Sequence, residues 1–98
     1  MKSTKTITAG DDYLDFTVFG RNAVSGITDG PGTFEIAVSG RVTSTIRLYA
    51  QIDGQWVQDS VIAQDGVHPG TVATTRKYRI GCPVADYEGE TIYIEVAQ

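Results

Sequence analysis

Three stretches of this chain alternate apolar and polar residues almost without a break. From Thr33 to Ser39, Phe34, Ile36 and Val38 share one side, and Thr33, Glu35, Ala37 and Ser39 the other. From Thr45 to Asp53, Ile46, Leu48, Ala50 and Ile52 oppose Thr45, Arg47, Tyr49, Gln51 and Asp53. From Thr91 to Val96, Ile92, Ile94 and Val96 oppose Thr91, Tyr93 and Glu95. A period of two sends successive side chains to opposite faces of a strand, so each stretch predicts a strand with one buried and one wet face. Weaker patterns predict further strands over Thr4–Ala9, Tyr13–Phe19, Gln55–Ile62 and Thr71–Cys82. No window carries an apolar i, i+3, i+4, i+7 stripe behind a capping residue, so no helix is predicted.

Turn chemistry separates these runs. Asp53-Gly54 joins two of them and suits a tight primed hairpin turn, in which glycine takes a positive φ at no steric cost. Asp29-Gly30-Pro31-Gly32 predicts a second turn. Gln64 to Gly70 reads as a loop long enough to change sheets, with His68 and Pro69 inside it. Residues 20–32 form the expected mobile segment, with Val24 and Ile27 either tucked under the fold or exposed for a partner. About seven short strands, each with one apolar face, predict an all-β, antiparallel two-sheet sandwich, Ig-like or jelly-roll-like. The 98 residues form one domain, spanning 1–98.

Composition narrows the chemistry. The chain has 12 acids against 8 bases, a formal charge of −4, and sequence-independent nucleic-acid binding needs clustered cations instead. The one basic cluster, Arg76, Lys77 and Arg79, reads as a solvated strand face or a charged edge that resists aggregation, in preference to a phosphate-binding patch. No apolar run is long enough to span a bilayer, and no apolar segment follows Lys2 and Lys5, so the expectation is synthesis in the cytoplasm. Cys82 is the only cysteine, which excludes an internal disulfide, and its step with Tyr78 and Ile80 marks it as a small buried hydrophobe.

Tests for catalysis and ligands find little. His68 is the sole histidine, no nucleophile elbow is present, and no acid–base pair can be named, so no enzyme is expected and no residue is assigned a catalytic role. Asp11, Asp12 and Asp15 match no calcium-loop spacing, and Asp86, Glu88 and Glu90 read as an exposed charged turn; neither metal nor cofactor is expected. The aromatics are more suggestive. Tyr49 and Tyr93 fall on the polar sides of their strands, where they either pair across strands or build a protein-interface patch. The candidate interface residues are therefore Tyr49, Tyr93, Val24 and Ile27. Trp56, just past the Asp53-Gly54 turn, reads as a core or core-rim residue. The tyrosines, Trp56 and the acidic loops also permit a carbohydrate-binding module.

The order of features from residue 32 onward resembles a known group. Gly32-Thr33-Phe34 opens a strand closed by Ser39-Gly40; Ile46 to Gln51 leads into Asp53-Gly54-Gln55-Trp56-Val57; Tyr78 to Gly81 is followed by Tyr87-Glu88-Gly89-Glu90-Thr91-Ile92-Tyr93-Ile94. This series resembles small β-sandwich virion proteins of tailed bacteriophages. The resemblance implies a non-enzymatic virion structural protein, made in the host cytoplasm and residing in the virion. Its first form is a capsid decoration (cement) protein that stabilises the head shell as a homo-oligomer, with the major capsid protein or other virion proteins as partners. A connector or tail component is the neighbouring alternative. The first strand, at a sheet edge, is the expected site for any strand addition by a partner.

Overall fold

The computed structural model describes residues 2–20, 32–72 and 74–98, together with the strand backbone of residues 23–24 and 27–28. Ten strands follow in chain order: β1 (Lys2–Ile7), β2 (Asp12–Val18), β3 (Ala23–Val24), β4 (Ile27–Thr28), β5 (Thr33–Ser39), β6 (Ile46–Ile52), β7 (Gln55–Ile62), β8 (Gly66–Thr71), β9 (Arg76–Cys82) and β10 (Ile92–Ala97). A 3-10 turn, Val84–Asp86, precedes β10. Eight strands make two four-stranded antiparallel sheets, ordered β1-β10-β5-β8 and β2-β9-β6-β7, while β3 and β4 pair with each other.

The pairing has a simple logic. β1 pairs with β10, β2 with β9, β5 with β8 and β6 with β7. The chain is thus one long antiparallel ribbon folded back at Asp53-Gly54. That ribbon is then rolled so that β10 meets β5 and β9 meets β6. Only β6 and β7 are sequence neighbours within a main sheet, unlike an Ig domain with its several in-sheet hairpins. Of the two expected sandwich types, the strand order is that of an eight-stranded jelly roll.

At the fold-back, Asp53 (φ 51°) and Gly54 (φ 77°) both take left-handed backbone, as a two-residue type I′ turn requires. Ile52 therefore pairs with Gln55, and Gln51 with Trp56. Farther along, the register shifts between Leu48 and Tyr49, and Asp59 is the extra residue of the bulge.

The inward faces interlock as the alternation predicts. Phe34, Ile36 and Val38 of β5 and Ile92, Ile94 and Val96 of β10 meet Ile46, Leu48 and Ala50 of β6 and Ile80 and Cys82 of β9, all buried. Full burial of each large aliphatic side chain contributes about 1.5–3 kcal/mol. Phe16, Phe34 and Tyr78 stack at the centre, with ring centroids 5.3–6.1 Å apart. Cys82 is fully buried among these groups, and burial foremost pushes its thiol above the usual range.

Two segments differ from the sequence reading. Gly66 to Thr71 is a strand rather than a loop, and only Ala63–Asp65 crosses between sheets. β8 lies at a sheet edge, the one place where Pro69 can sit without breaking a ladder. Gly70 opposes Phe34, and a Cβ there would lie 2.3 Å from the Phe34 ring. The glycine and proline that signalled a loop are thus what fits this strand to the core. The expected run Thr71–Cys82 breaks between β8 and β9, where Val72 turns into the core and its amide donates to the Gly32 carbonyl (2.8 Å). The turn expected at Asp29-Gly30-Pro31 and the mobility expected for 20–32 fall on residues outside the description, apart from the short β3–β4 pairing.

The sandwich has two distinct ends. Connections 8–11, 40–45, 63–65 and 83–91 gather at the upper end. The Asp53-Gly54 turn, Val72, Thr74, Thr75, Lys2 and Gln98 lie at the lower end. Replacing Gly54 with alanine is expected to cost about 1–2 kcal/mol, the left-handed penalty for an L-residue. Urea unfolding measures the loss, and an unchanged midpoint would show that the turn does not set the register.

Candidate functional site

The outer face of the β2-β9-β6-β7 sheet gathers the polar-side residues of four strands. Across it, Asp15 pairs with Arg79, which pairs with Tyr49 and then Gln58; Tyr13 pairs with Gly81, which pairs with Arg47 and then Val61. Thr17 pairs with Lys77, and Gln51 with Trp56. These contacts follow from strand register alone.

Arg79 is the hub. Its Nε donates to Asp15 Oδ1 (2.7 Å) and its Nη2 to Asp15 Oδ2 (3.0 Å), a two-pronged pairing that matches the planar guanidinium. The hydrogen bonds from Arg79 hold the Asp15 carboxyl below the usual range, outweighing partial burial. The guanidinium lies 4.5 Å from the centre of the Trp56 ring and 5.6 Å from that of Tyr13. Tyr13 in turn meets Tyr49 edge-on, with centroids 6.2 Å apart. Burial, with the Asp11 charge behind it, pushes the Tyr13 phenol up to about 12, so it stays a neutral hydrogen-bond donor. Each cation–π contact at such a half-exposed site contributes about 0.5–1 kcal/mol, and the ion pair no more. The cluster matters less for stability than for shape, because it fixes an arginine and three aromatic rings in one arrangement. Beside it, a shallow groove of about 450 Å³ runs along Trp56, Gln51 and Lys77.

The structure separates residues that the sequence grouped. Tyr49 lies within this cluster, whereas Tyr93 sits on the outer face of the other sheet, 54% exposed between Thr6 and Ser39. The two tyrosines are back to back across the sandwich and cannot share one patch. Val24 and Ile27 are opposite each other in the β3–β4 pairing, and their side chains lie outside the described residues. Trp56 is not a core residue: it stands on the outer face, under Arg79. The signal for it was present, because a two-residue turn pairs Gln51 with Trp56, and Gln51 is on the wet side. The basic cluster lies on an interior strand, which rules out the edge reading.

The remaining chemistry-bearing residues are engaged structurally. His68 is in β8, and its Nε2 lies 3.0 Å from the Gln64 carbonyl; Asp59 and Ser60 line the same inter-sheet cleft, yet none of the three bonds to another. Asp11 accepts from the Val84 amide (2.9 Å) and Asp12 pairs with Lys5 (2.8 Å). Among the described residues, no three His, Cys, Asp or Glu side chains converge as a metal-binding set.

The acidic segment before β10 is a clamp rather than a merely exposed turn. Glu90 Oε1 accepts the amides of Val42 (2.9 Å), Thr43 (3.0 Å) and Ser44 (2.7 Å), filling a concavity of backbone donors. The buried Ser44 hydroxyl accepts from the Glu88 amide (2.8 Å), the Tyr87 hydroxyl donates to the Glu90 carbonyl (2.8 Å), and Asp86 pairs with Arg47 (2.6 Å). The amides, Ser44 foremost and then Val42, hold the Glu90 carboxyl at about 2, well below its ordinary 4.5. A carboxylate depressed in the folded state stabilises the fold fully above its unfolded value, and that stabilisation disappears as pH falls toward the folded value. Glu90→Ala is therefore expected to lower the melting temperature at pH 7 and to flatten its fall between about pH 4.5 and 2. Melting curves across that range check it, and parallel profiles for the two proteins would refute the clamp.

Comparison with protein-family models, with curated proteins and with solved structures returns no match to this chain.

Proposed function

We propose that this chain is a non-enzymatic virion structural protein, a head decoration protein of the tailed-phage type, docking through the outer face of the β2-β9-β6-β7 sheet. The observation that carries the docking surface is the fixed Trp56–Arg79–Tyr13–Tyr49 cluster. Tryptophan, tyrosine and arginine are the residue types that dominate interface hot spots. Because Asp15 already holds Arg79 in place, little side-chain freedom remains to be lost on binding. The virion setting itself rests on the sequence resemblance.

The sheet edges favour the same surface by default. β1 carries an inward-pointing Lys5 tied to Asp12, β2 carries Asp12 and Asp15, β7 has the Asp59 bulge, and β8 has Pro69. Each device discourages another strand from pairing alongside. β1 does lie at an edge, but Lys5 makes it a poor template, so the partner is met by a face and not by strand addition. Tyr93, on the far face, would serve a separate contact.

A glycan-binding role has the groove beside Trp56 in its favour, although Arg79 already covers one face of the indole.

Two measurements test the proposal. Quantitative mass spectrometry of purified particles from the source is expected to find this chain in copy numbers comparable to the shell subunit. A handful of copies would assign it to the connector or tail, and absence would remove the virion reading in favour of glycan binding. Trp56→Ala and Tyr49→Ala are each expected to weaken shell binding by about thirtyfold, the hot-spot scale of about 2 kcal/mol. Tyr93→Ala is expected to leave that binding intact, and the reverse pattern would place the contact on the opposite face.

A further inference from the structure

The turn that folds the ribbon back is also an aspartyl-glycyl bond. Among the described residues there are two such bonds, Asp53-Gly54 and Asp65-Gly66. An aspartate followed by glycine is open to attack on its own side chain, because no Cβ on the next residue shields the amide nitrogen. Ring closure between that nitrogen and the aspartyl Cγ also requires the peptide between them to rotate. The local fold therefore decides which of the two bonds reacts.

The two aspartates sit in different surroundings. Asp53 is exposed and has φ 51°, left-handed backbone that an L-residue adopts only at a cost, so opening the turn recovers that cost. Among the described residues its carboxylate has no ion pair, and the Gly54 amide donates to no turn or loop carbonyl. Asp65 is not left-handed and is held on both sides. Its carboxylate lies 3.8 Å from Arg41 Nε, and Gly66 already belongs to β8, opposite Val38. A Cβ at either glycine would meet nothing within 4 Å, so it is tethering and not space that separates the two.

We propose that Asp53 is a site of spontaneous covalent modification, converting to isoaspartate in the folded protein while Asp65 is spared. The Gly54 nitrogen bonds to Asp53 Cγ, and its proton leaves with the carboxyl hydroxyl as water. Water then adds to the main-chain carbonyl of the cyclic imide and breaks the bond from that carbon to the Gly54 nitrogen. The chain now runs through Cγ and is one carbon longer, with no oxidant or cofactor consumed. That carbon falls in the two-residue turn whose left-handed residues set Ile52 opposite Gln55. A longer turn no longer matches the ladder at that spacing, so the product is a less stable fold. The same ladder carries Trp56 opposite Gln51, so the change reaches the border of the candidate docking face. The proposal rests on the turn alone and does not depend on what the protein docks onto.

Peptide mapping of the full chain held for weeks at neutral pH reads the modification, with fragmentation that tells isoaspartate from aspartate. In the folded protein, isoaspartate is expected to form at position 53 at least about tenfold faster than at 65, the ratio that a modest difference in local opening gives. In guanidinium chloride, where no fold is left, the two positions are expected to react at similar rates. The isoaspartyl fraction, separated by chromatography, is expected to unfold at lower urea than its parent. Asp53→Asn keeps a pair that suits the turn and is expected to react at the same bond, with loss of ammonia and the mass change that follows. An intact Asp53 overturns the proposal, as do equal rates at the two positions in the folded protein. So do a ratio that persists unchanged in the denaturant, an inert Asp53→Asn variant, or a modified form that unfolds with its parent.

Discussion

The Asp53-Gly54 turn governs this molecule because the two halves of the chain are paired against each other through it. Two positive φ angles at adjacent residues fix which residue of β7 faces which residue of β6. Each later pairing, β5 with β8, β2 with β9 and β1 with β10, joins segments progressively more distant in sequence. The outermost pairing has almost the whole chain between its partners, so its closure entropy is recovered only once the inner ribbon exists. Folds built on non-local pairing fold slowly for this reason. A slip of one residue at the turn would exchange the buried and wet faces of β7.

The candidate docking face inherits its geometry from the same register. Trp56 stands outside because Gln51 does, and Arg79 reaches it because β9 lies between β2 and β6. Asp15 comes from the first half of the chain and Arg79 from the second, so their two-pronged bond also ties the ribbon together where the roll must hold. No short motif could encode this arrangement. It is made by four strands of a rolled ribbon and exists only once they are in order.

How far the sequence could be read follows from the range of each interaction. Alternation is local, so Thr33–Ser39 was recovered without change and the strands predicted around β6 and β10 agree to within one residue at either end. The two-residue turn is local too. β8 was missed because its fitness is tertiary: Pro69 is tolerated only at an edge, and Gly70 is needed only where Phe34 lies against it. The break between β8 and β9 follows from the change of sheet, which alternation does not encode. The Glu90 clamp joins residues almost fifty positions apart, so in sequence it looked like a charged turn. For the site, the outward side of Tyr49 was legible and its separation from Tyr93 was not, because alternation assigns a side without saying to which sheet.

The positions of the charges explain why the faces of the sandwich, and not its edges, are left uncommitted. An open sandwich has four edges, each a row of unpaired backbone donors and acceptors that invites indiscriminate pairing. Here a lysine turned inward, a pair of aspartates, a bulge and a proline close one edge apiece. Most of the carboxylates nearest the connections are spent internally: Glu90 on three amides, Asp86 on Arg47, Asp12 on Lys5 and Asp15 on Arg79. Glu88 lends only its backbone amide to the upper clamp, and Lys77 has no ion pair among the described residues. Charges already committed to the fold add shape at little cost in specificity. Blocked edges and a rigid aromatic face therefore describe a sandwich whose accessible surface is restricted in kind by its own register.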